Sequence, residues 1–571
     1  MFSFNTFPEL LEYIKTSINN PAYLSYLHNG EWQSFSSQAF VTHTEKLAAA
    51  FAYYGVTKGT SVAIISGSSP FWLMIDFALQ RLGATSVPIF ANISRENLHY
   101  EIKDSAIEYV FIASQEKYDQ LAESLKSMKL VVTLGIESNL KNVIEFDAFL
   151  KTSYELPRVN VAHDDVATII YTSGSTGKPK GVELTHNNLM SQIKDVRLAI
   201  PITSDEIALS FLPLAHIFER MVVLYYLANG ICIYFADDVK NVGNLMNEVR
   251  PTVMTVVPRL LEKIYTKMHD KIYAVSGIKG LIGQGALHRA NTKEVHTPLN
   301  SLDKLAHRLV YAKLLEALGG RMQYMISGGA ALSPAMERFF VNIGIPLYQG
   351  YGLSETSPVV CVNTPHAYRF GSCGKKLSSI EVKLSLEGEL LVKGPNVMRG
   401  YHNLSDETRK TIDNGWLHTG DLAYIDDEGY IFIKSRLKEL FKTSTGKYVS
   451  AIAIEHHLTH SKWVDYAIIV AENRPYVTAL IFLDPSMSME PFEKYHREIK
   501  TAEKMEQLIQ HVNQHLNAWE QIQKYTLIPI LPTIDNHMLT PSMKISRNTV
   551  YACFSDEIEA MYHIQSTNFG E

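Results

Sequence analysis

The stretch SVAIISGSSPFWLMIDFALQRLGATSVPIF, which runs from Ser61 to Phe90, decides the fold class of this chain. It begins with a short apolar run, crosses a turn rich in Gly, Ser and Pro, continues through an amphipathic segment and ends in a second apolar run. This order predicts a strand, a helix and a strand, and such a βαβ unit implies a parallel sheet with helices on its faces. The same rhythm extends over residues 1–160 and returns at 251–265 and 321–355.

The pattern changes after Gly371. IEVKLSLEGELLVKGPNVMRGYHN (residues 380–403) predicts a strand, a turn and a strand, and HTGDLAYIDDEGYIFIKSR (residues 418–436) predicts a hairpin around Asp427-Glu428-Gly429. Past Ser435 the chain mixes strands and helices. One helix shows a core stripe at helical spacing, formed by Met505, Leu508, Ile509, Val512 and Leu516. We therefore predict an α/β fold, with a large N-terminal domain (1–434) of parallel βαβ layers plus a small β-region, and a smaller α+β C-terminal domain (435–571).

Composition agrees with a globular protein of more than one domain. The chain has 571 residues, of which 46% are hydrophobic and 20% are charged. The net charge is −6, and because no block of Lys and Arg stands out, we expect no nucleic-acid partner. The four cysteines lack zinc spacing and are expected to be reduced thiols. Composition gives no indication of oligomeric state.

The sequence predicts neither a signal peptide nor a membrane-spanning helix. The first residues lack a basic region followed by a clean apolar run. The longest uncharged run, Met221 to Ala236, is shorter than the roughly 20 residues that a spanning helix needs, and it predicts two adjacent buried elements. We expect a soluble, cytoplasmic protein, and peripheral contact with a membrane stays open.

The stretch YTSGSTGKPKGVELTH, Tyr171 to His186, predicts a phosphate-binding loop after a buried strand. A Walker A loop has four residues between its first Gly and its Gly-Lys pair; here only two separate Gly174 from Gly177, and Pro179 follows the lysine. Glycine nevertheless exposes backbone N–H groups, and the stretch adds cations at Lys178 and Lys180. Its hydroxyl groups belong to Thr172, Ser173, Ser175 and Thr176.

Four motifs in order carry a resemblance to a known family. YTSGSTGKPKGVELTH resembles the phosphate loop of the AMP-forming adenylating superfamily, which includes acyl-CoA synthetases, firefly-type luciferases and peptide-synthetase adenylation domains. LYQGYGLSETSPV (347–359) resembles its adenine motif. GWLHTGDLAYIDDEGYIFIKSRLKELFKTSTGKYVS (415–450) resembles its ribose and hinge motifs, and LTPSMKISR (539–547) its C-terminal lysine motif. One such motif alone would be a weak indication of the family. Four motifs in the family's order are a strong one, and together with the strand before the first they cover residues 166–547.

The resemblance implies a reaction and its cofactors. A carboxylate attacks the α-phosphate of ATP, which gives acyl-AMP and pyrophosphate, and the acyl group then passes to a thiol. A carboxylate is a poor electrophile, and joining it to AMP supplies a good leaving group. The family implies ATP, Mg²⁺ and coenzyme A as the small molecules involved. The protein has to position two anions and neutralise charge at phosphorus.

The resemblance also implies roles for individual residues of the larger domain. Glu355, with Thr176, would hold Mg²⁺ through oxygen. Tyr351 offers a flat face to adenine, or is a core tyrosine, and Gly328 and Gly329 would let the backbone approach the nucleotide closely. The remaining nucleotide contacts that the motifs imply are Thr172, Ser173, Gly174, Ser175, Gly177, Lys178, Gln349, Gly352 and Ser354.

The rest of the chemistry would lie at the end of the larger domain, at Asp421, and in the smaller domain. Asp421 suits both ribose hydroxyls, and Arg436 is the second ribose or phosphate contact. Lys544 is the expected catalytic cation, which bridges the carboxylate and the α-phosphate. The family implies that this domain is mobile and then turns a second face, with Lys438 and Gly446, toward the thiol. Ser435 stands where many members have Asp or Lys, so the position of the pivot is open.

Local features resemble the long-chain fatty acid branch. FLPLAHIFERM (211–221), ALGGRMQYMISGGAAL (317–332) and ELFKTSTGKYVS (439–450) are close to signatures of that branch, and Met543 precedes Lys544 where most other branches have Gly. His216 would lie near the acyl carboxylate, or it caps a helix or fills the core. Glu219 and Arg220 are expected to form a structural ion pair with each other.

These observations predict a long-chain fatty acid:CoA ligase. A fatty acyl-AMP ligase that loads a carrier protein is one alternative, although residues 380–435 look too compact for the insertion that such enzymes carry. A non-catalytic fatty-acid-binding protein on this fold is another, although Lys544, Glu355 and Asp421 are all present. The sequence does not exclude a luciferase-like oxygenase.

Overall fold

A computed structural model describes residues 2–172, 178–295, 297–437, 440–445, 447–461, 463–484, 494–540 and 543–562, with residues 494–501 given by their backbone. The chain divides into two compact units. The larger comprises Met1–Ser385, Leu390–Thr419 and Tyr424–Phe432, and the smaller comprises Leu386–Glu389, Gly420–Ala423 and Ile433–Glu571. Two short segments that the sequence assigns to the large domain thus belong to the smaller unit. The division of roles between two domains at residue 435 stays a prediction.

The strands of the described residues, numbered in chain order, are β1 Leu24–His28, β2 Glu31–Phe35, β3 Ser61–Ile65, β4 Thr85–Ile89, β5 Tyr109–Ile112, β6 Leu130–Thr133, β7 Val143–Glu145, β8 Val166–Thr172, β9 Lys180–Thr185, β10 Ile207–Ser210, β11 Cys232–Phe235, β12 Val253–Val256, β13 Tyr324–Ser327, β14 Leu347–Gly352, β15 Val359–Val362, β16 Lys375–Lys376, β17 Glu381–Leu384, β18 Glu389–Lys393, β19 Gly400–Tyr401, β20 Ile412–Asp413, β21 Trp416–Ile425, β22 Ile431–Arg436, β23 Leu440–Lys442, β24 Tyr448–Ser450, β25 Val464–Val470, β26 Val477–Leu483 and β27 Ile522–Ile528.

The α-helices of the same residues are α1 Phe7–Ser17, α2 Ser37–Tyr53, α3 Pro70–Arg81, α4 Arg95–Asp104, α5 Gln115–Leu125, α6 Phe146–Leu150, α7 His186–Ala199, α8 Ile217–Ala228, α9 Val242–Val249, α10 Pro258–Tyr273, α11 Gly277–Thr292, α12 Ser301–Ala306, α13 Ala312–Glu316, α14 Pro334–Ile343, α15 Ser405–Thr411, α16 Ala451–Thr459, α17 Lys494–Asn513, α18 Arg547–Cys553 and α19 Ser555–Tyr562. Short 3₁₀ turns cover Val239–Asn241 and Ser354–Thr356, and a π-helical turn covers His307–Tyr311.

The larger unit contains two sheets built around parallel strands. An eight-stranded sheet has the order β19-β9-β8-β4-β3-β5-β6-β7, and a nine-stranded sheet has the order β16-β15-β14-β13-β12-β10-β11-β1-β2. Strands β3 to β8 pair in parallel in the first, and β10 to β14 pair in parallel in the second. The antiparallel additions lie at the margins. A five-stranded group, β17-β18-β21-β20 with β22 on β21, corresponds to the predicted small β-region.

The βαβ unit at Ser61 to Phe90 is confirmed, since β3, α3 and β4 occupy it. Ser69 caps α3 by accepting the N–H of Trp72, and Pro70 begins the helix, where its missing N–H costs nothing. Helix α3 is buried along almost its full length. The uncharged run from Met221 to Ala236 also forms two buried elements, α8 and β11, as predicted.

The smaller unit contains a three-stranded sheet, β25-β26-β27, flanked by helices. Its core includes the predicted stripe on α17. Met505, Ile509 and Val512 are buried, and Leu508 and Leu516 pack against them. The predicted α/β fold class with a smaller α+β part is therefore confirmed, whereas the mobility of the smaller part stays a prediction.

All four cysteines are free thiols. Among the helices that the structure describes, none combines the length and the apolar character that crossing a membrane requires.

Candidate active site

The antiparallel strands β8 and β9 flank the predicted phosphate loop. Tyr171 pairs with Gly181, and Thr172 pairs with Lys180, so both ends of the loop are fixed by a ladder. A side chain at Gly181 would come within 2.8 Å of Ile169 Cγ2 and 3.1 Å of His402 Cβ, which is why glycine is needed there. Of the predicted phosphate contacts, Ser173, Gly174, Ser175, Thr176 and Gly177 lie outside the described residues.

Strand β19 and the residue after it pair with β9 on its other edge. His402 Nδ1 lies 2.7 Å from Glu183 Oε1, and this hydrogen bond raises the pKa of His402. Lys180 Nζ donates to Glu407 Oε2 over 2.8 Å, which lowers the pKa of that carboxyl to about 2. The ammonium of Lys180, which the sequence suggested for phosphate, is thus paired with a carboxylate, while the side chain of Lys178 is exposed.

Glu355, the predicted magnesium ligand, contacts β19 through its carboxylate and the segment before β19 through its backbone. The hydroxyl of Tyr401 donates to Glu355 Oε1 over 2.9 Å, and the N–H of Met398 donates to the backbone oxygen of Glu355 over 2.9 Å. Burial, followed by the negative charge of Glu355, raises the pKa of Tyr401, so the phenol stays protonated and donates. The carboxylate is oriented before any ion binds.

The adenine motif runs along β14 and the 3₁₀ turn after it. Tyr351 and Ser354 are half-buried. A side chain at Gly352 would lie 1.7 Å from the oxygen of Pro358, so this glycine serves the close approach of two backbone segments. Gln349 is buried, and its Nε2 donates to Cys373 Sγ over 3.1 Å. The roles of Gln349 and Tyr351 in nucleotide binding stay predictions.

Gly328 serves a side chain of this chain. A Cβ at this position would lie 2.6 Å from Cζ of Phe218, so the missing side chain makes room for the Phe218 ring. The motif predicts that Gly328 lets the backbone approach the nucleotide, and the structure adds this packing role. Gly329 has a φ of +81°, a conformation that favours glycine, and its nearest neighbour is Val257 Cγ1 at 3.9 Å. This is an ordinary van der Waals contact, and the role of Gly329 in nucleotide binding stays a prediction.

His216 caps helix α8. Its Nδ1 accepts the N–H of Phe218 over 3.2 Å, which satisfies one of the backbone donors at the start of the helix. The ring is half-buried, and its centroid lies 6.4 Å from that of Phe90. The capping interpretation is thereby confirmed, and a contact with the acyl carboxylate stays a prediction.

The expected ion pair between Glu219 and Arg220 is wrong, although both residues are structural. Arg220 is fully buried and donates from Nε and Nη2 to Asp76 over 3.0 and 2.7 Å. It also donates to Thr168 Oγ1 over 2.8 Å and to Ser86 Oγ over 3.1 Å. Adjacent residues of a helix point in different directions, so Arg220 meets a distant carboxylate and not its neighbour.

Glu219 is buried in a separate polar contact. Its Oε1 accepts a hydrogen bond from the hydroxyl of Ser210 over 2.5 Å. Burial raises the pKa of Glu219 to about 8, and the bond from Ser210 lowers it only in part. Glu219 is therefore largely protonated at neutral pH.

In the smaller unit, the two predicted ribose ligands are neighbours. Arg436 Nε lies 3.2 Å from Asp421 Oδ1, and the Asp421 side chain is only 3% exposed whereas that of Arg436 is 52% exposed. The N–H of Gly420 donates to Glu389 Oε1 over 2.8 Å, which fixes the turn before Asp421. Two residues that the motifs implied for one hydroxyl-bearing ligand are thus brought together.

Lys544 lies on an exposed turn of the same unit. Its backbone oxygen accepts the N–H of Thr540 over 2.8 Å, and its N–H donates to Thr540 Oγ1 over 3.1 Å. Met543 has a φ of +62°, a conformation that glycine adopts without strain and methionine does not, so the backbone at this position keeps a shape that favours glycine. The predicted thiol-face residues Lys438 and Gly446 lie outside the described residues.

Sequence reasoning missed Tyr401 and His402 as parts of this site. Both follow Gly400 at the end of a stretch predicted as a strand, a turn and a strand, and their partners Glu355 and Glu183 lie 46 and 219 residues away. No local pattern signals such contacts. The only available hint is the position of an aromatic residue and a histidine at the end of the stretch 380–403.

Comparison with known proteins identifies the family. The family model described as AMP-binding enzyme matches residues 13–402, and the model described as AMP-binding enzyme C-terminal domain matches residues 439–566. The chain belongs to the AMP-binding enzyme family. The first match alone covers more than half of the chain, so the predicted membership of the adenylating superfamily is confirmed.

Relatives in this family place the chain in its long-chain branch. It is 31% identical to a long-chain-fatty-acid–CoA ligase of Mycobacterium bovis over 95% of both chains. It is 27% identical to long-chain-fatty-acid–CoA ligase 1 of Homo sapiens, over 93% of this chain and 82% of the human protein.

Among solved structures of this fold, the adenylation domain of a carboxylate reductase from Mycobacterium chelonae superposes with a TM-score of 0.79. The two share 20% identity over 98% of this chain and 91% of that chain. This AMP-binding enzyme therefore has the adenylate-forming fold that its sequence predicted.

Proposed function

We propose that this protein activates a long-chain fatty acid with ATP and transfers the acyl group to coenzyme A. The observation that carries the proposal is the match, along 95% of the chain, to a long-chain-fatty-acid–CoA ligase. The arrangement of Glu355 and Tyr401 supports it, because an oriented carboxylate suits an enzyme that binds a metal-bound triphosphate.

The first step is attack of a carboxylate oxygen on the α-phosphorus of ATP. The bond from this phosphorus to the bridging oxygen breaks, and pyrophosphate leaves with the electron pair. Mg²⁺, held by Glu355 and Thr176, would neutralise the charge of the phosphates. The loop between β8 and β9, with Thr172 and Lys178, binds the pyrophosphate half, and Lys544 supplies the mobile cation that stabilises charge at the α-phosphate.

The second step forms the thioester. The sulfur of coenzyme A attacks the carbonyl carbon of acyl-AMP, the bond to the phosphate oxygen breaks, and AMP leaves while the thiol proton passes to solvent. Asp421 and Arg436 hold the ribose of the nucleotide through both steps. Lys438 and Gly446 are the proposed contacts of the thiol substrate.

A pyrophosphate-release assay tests this proposal. The purified full chain is incubated with ATP, Mg²⁺ and saturated acids from acetate to a twenty-carbon acid, with and without coenzyme A. We expect release that rises with chain length, because each methylene group buried adds about 0.8 kcal/mol, and acyl-CoA formation detected by mass spectrometry. No acid-dependent release would contradict the proposal. Release with no thioester would favour transfer to a carrier protein.

We also propose that the enzyme works at a membrane surface. A long-chain acid dissolves in the bilayer, since its methylene groups gain about 0.8 kcal/mol each there. An enzyme that docks on the bilayer collects its substrate from a concentrated phase.

A further inference from the structure

Exposed apolar side chains concentrate in one helical part of the larger unit. Of the 20 large apolar side chains that are exposed in the described residues, nine lie between Tyr273 and Leu309. Single exposed apolar residues are ordinary on a protein surface, whereas a cluster marks an interaction site. Six of the nine lie on α11, on α12 and on the π-helical turn: Ile278, Leu281, Ile282, Leu302, Leu305 and Leu309.

Helix α11 carries apolar side chains both toward the core and toward solvent. Its inward side places Ala286, Leu287 and Ala290 in the core of the larger unit. Its outward side presents Ile278 and Leu281, whose side chains are 77% and 69% exposed. A helix at the surface of a globular protein normally turns polar side chains toward solvent. The outward side of α11 therefore has the composition of a surface that is covered in use.

The turn at the start of α11 is closely packed against α10. A Cβ at Gly280 would lie 2.0 Å from the oxygen of Val275, and one at Gly283 would lie 2.7 Å from Cγ2 of Ile272. These two glycines allow the hairpin to close. The exposed apolar residues are thus presented on a compact, well-packed tip.

Helix α12 presents a second apolar stripe and is fixed to α11. Leu302, Leu305 and Leu309 recur at a spacing that places them on one face. The buried carboxylate of Asp303 accepts hydrogen bonds from Arg289, which lies on α11, and from Lys293, which follows α11 directly. The hydroxyl of Tyr311 donates to the backbone oxygen of Ala286 on α11 over 2.8 Å. Both stripes therefore belong to one substructure.

The same substructure is strongly basic. Residues 263–313, here named the basic helical segment, contain nine Lys and Arg and three Asp and Glu, although the whole chain has 53 basic and 59 acidic residues. One of the three acids, Asp303, is already neutralised by its ion pairs. Seven of the basic side chains are exposed: Lys263, Lys267, Lys271, Lys279, Lys304, Arg308 and Lys313.

We propose that the basic helical segment docks on an anionic lipid bilayer, with the exposed apolar side chains of α11 and α12 entering the interface. Lysine and arginine beside apolar residues suit this occupant, because their stems lie along the acyl boundary while their charges reach the lipid phosphates. A second copy of the chain suits it poorly, since a two-fold contact would bring two cationic surfaces together. The purpose of the docking rests on the proposed function.

Vesicle sedimentation with the full chain, in the absence of ATP and fatty acid, tests the proposal. One set of vesicles contains phosphatidylcholine alone, and the other also contains phosphatidylglycerol. We expect binding to the second set that weakens as salt is added, because salt screens the contact of lysines with the phosphates. Since no catalytic step is involved, binding is scored independently of ligase activity. Absence of binding to anionic vesicles would overturn the proposal even in an active enzyme.

Paired variants locate the surface. The double variants Ile278→Gln/Leu281→Gln and Leu302→Gln/Leu305→Gln should each weaken vesicle binding about tenfold or more, because each variant removes two apolar side chains from the lipid interface. Lys271→Gln/Lys279→Gln should weaken it about fivefold per charge removed. The matched control is Leu198→Gln/Leu386→Gln, which removes two exposed leucines elsewhere and should bind as wild type does.

Two further readouts complete the test. The thermal unfolding temperature of each variant should match that of the wild type, because substitutions of exposed residues cost little stability. The three variants are independent of one another, so if one of them fails to fold, the other two still test the proposal. In sedimentation velocity experiments, the wild type and the apolar variants should show the same state of association. Self-association that disappears in the apolar variants, or vesicle binding that is equal in all variants, would overturn the proposal.

Discussion

The hydroxyl of Tyr401 donates a hydrogen bond to Glu355 across 2.9 Å, and this contact joins the adenine motif to the strand that braces the phosphate loop. Glu355 is the proposed magnesium ligand, and Tyr401 is the proposed positioning residue. The bond fixes one carboxylate oxygen, which leaves the geometry of the carboxylate defined before the nucleotide arrives.

Tyr401→Phe should therefore raise the Mg²⁺ concentration that gives half-maximal acyl-AMP formation and lower kcat/KM about tenfold, since a hydrogen bond to a charged group is lost. The ring that lies under Lys180 is kept. Tyr368→Phe is the matched control, because it removes a phenol that donates to another glutamate, Glu337, over 2.5 Å. A Mg²⁺ requirement unchanged in Tyr401→Phe would contradict the positioning role.

Lys544→Ala should abolish acyl-AMP formation and leave ATP binding largely intact, because the cation acts on charge that develops in the transition state. Pyrophosphate release and equilibrium binding of ATP measure the two effects separately. Lys524→Ala removes another exposed lysine of the smaller unit and should retain activity. Near wild-type adenylation by Lys544→Ala would show that the catalytic cation lies elsewhere.

Gly328→Ala should lower the free energy of unfolding by about 1–3 kcal/mol, because its Cβ overlaps the ring of Phe218. Adding Phe218→Leu should restore part of the loss, which chemical denaturation of the single and double variants will measure. Gly243→Ala, where the structure leaves open space, is the control and should be neutral or slightly stabilising. If the second substitution brings no recovery, the ring is not what excludes the methyl group.

Arg220→Met should destabilise the larger unit by about 3–5 kcal/mol, since it leaves the buried carboxylate of Asp76 without its partner. Arg409→Met breaks an exposed pair with Asp406 and should cost less than about 1 kcal/mol. Urea unfolding followed by tryptophan fluorescence compares the two. Equal costs would mean that the buried pair contributes no more than a surface pair.

Glu219→Gln should change how stability depends on pH. The folded protein holds a proton on Glu219 up to a pKa of about 8, whereas the ordinary value of 4.5 applies when it is unfolded. Unfolding therefore releases a proton between these values, so this group makes the wild type less stable as pH rises through that window. The variant lacks this dependence, and its advantage in urea midpoint should grow from acid to mildly alkaline pH. Parallel curves for the two proteins would refute the assignment.

Local patterns of the sequence predicted the elements and the order of the site motifs well. The βαβ unit at Ser61 to Phe90 follows from alternating apolar runs, and the stripe on α17 follows from helical spacing. The pairing of Arg220 was predicted wrongly, because the expectation considered only its neighbour Glu219. Its actual partner lies 144 residues away, and only the packing of α3 against the sheet brings them together.

Long-range contacts also explain what the sequence could not reveal about the site. Glycines in SGGAAL indicate close approach, yet the sequence does not say that Phe218 occupies the space at Gly328. Conversely, the sequence presents Met543 only as a feature of the long-chain branch. Its positive φ shows that the backbone at this position adopts a conformation that favours glycine, although the residue is methionine. The identity of a residue therefore does not by itself reveal its backbone conformation or which side chain packs against it.

Arg220 also has a consequence for anyone who exchanges parts between relatives. Its guanidinium joins α8 to side chains of α3, β4 and β8. A lysine has a single ammonium and would satisfy only some of these acceptors. A graft of helix α8 into another scaffold should therefore bring Asp76, Ser86 and Thr168 with it, because these side chains accept the hydrogen bonds of the buried guanidinium.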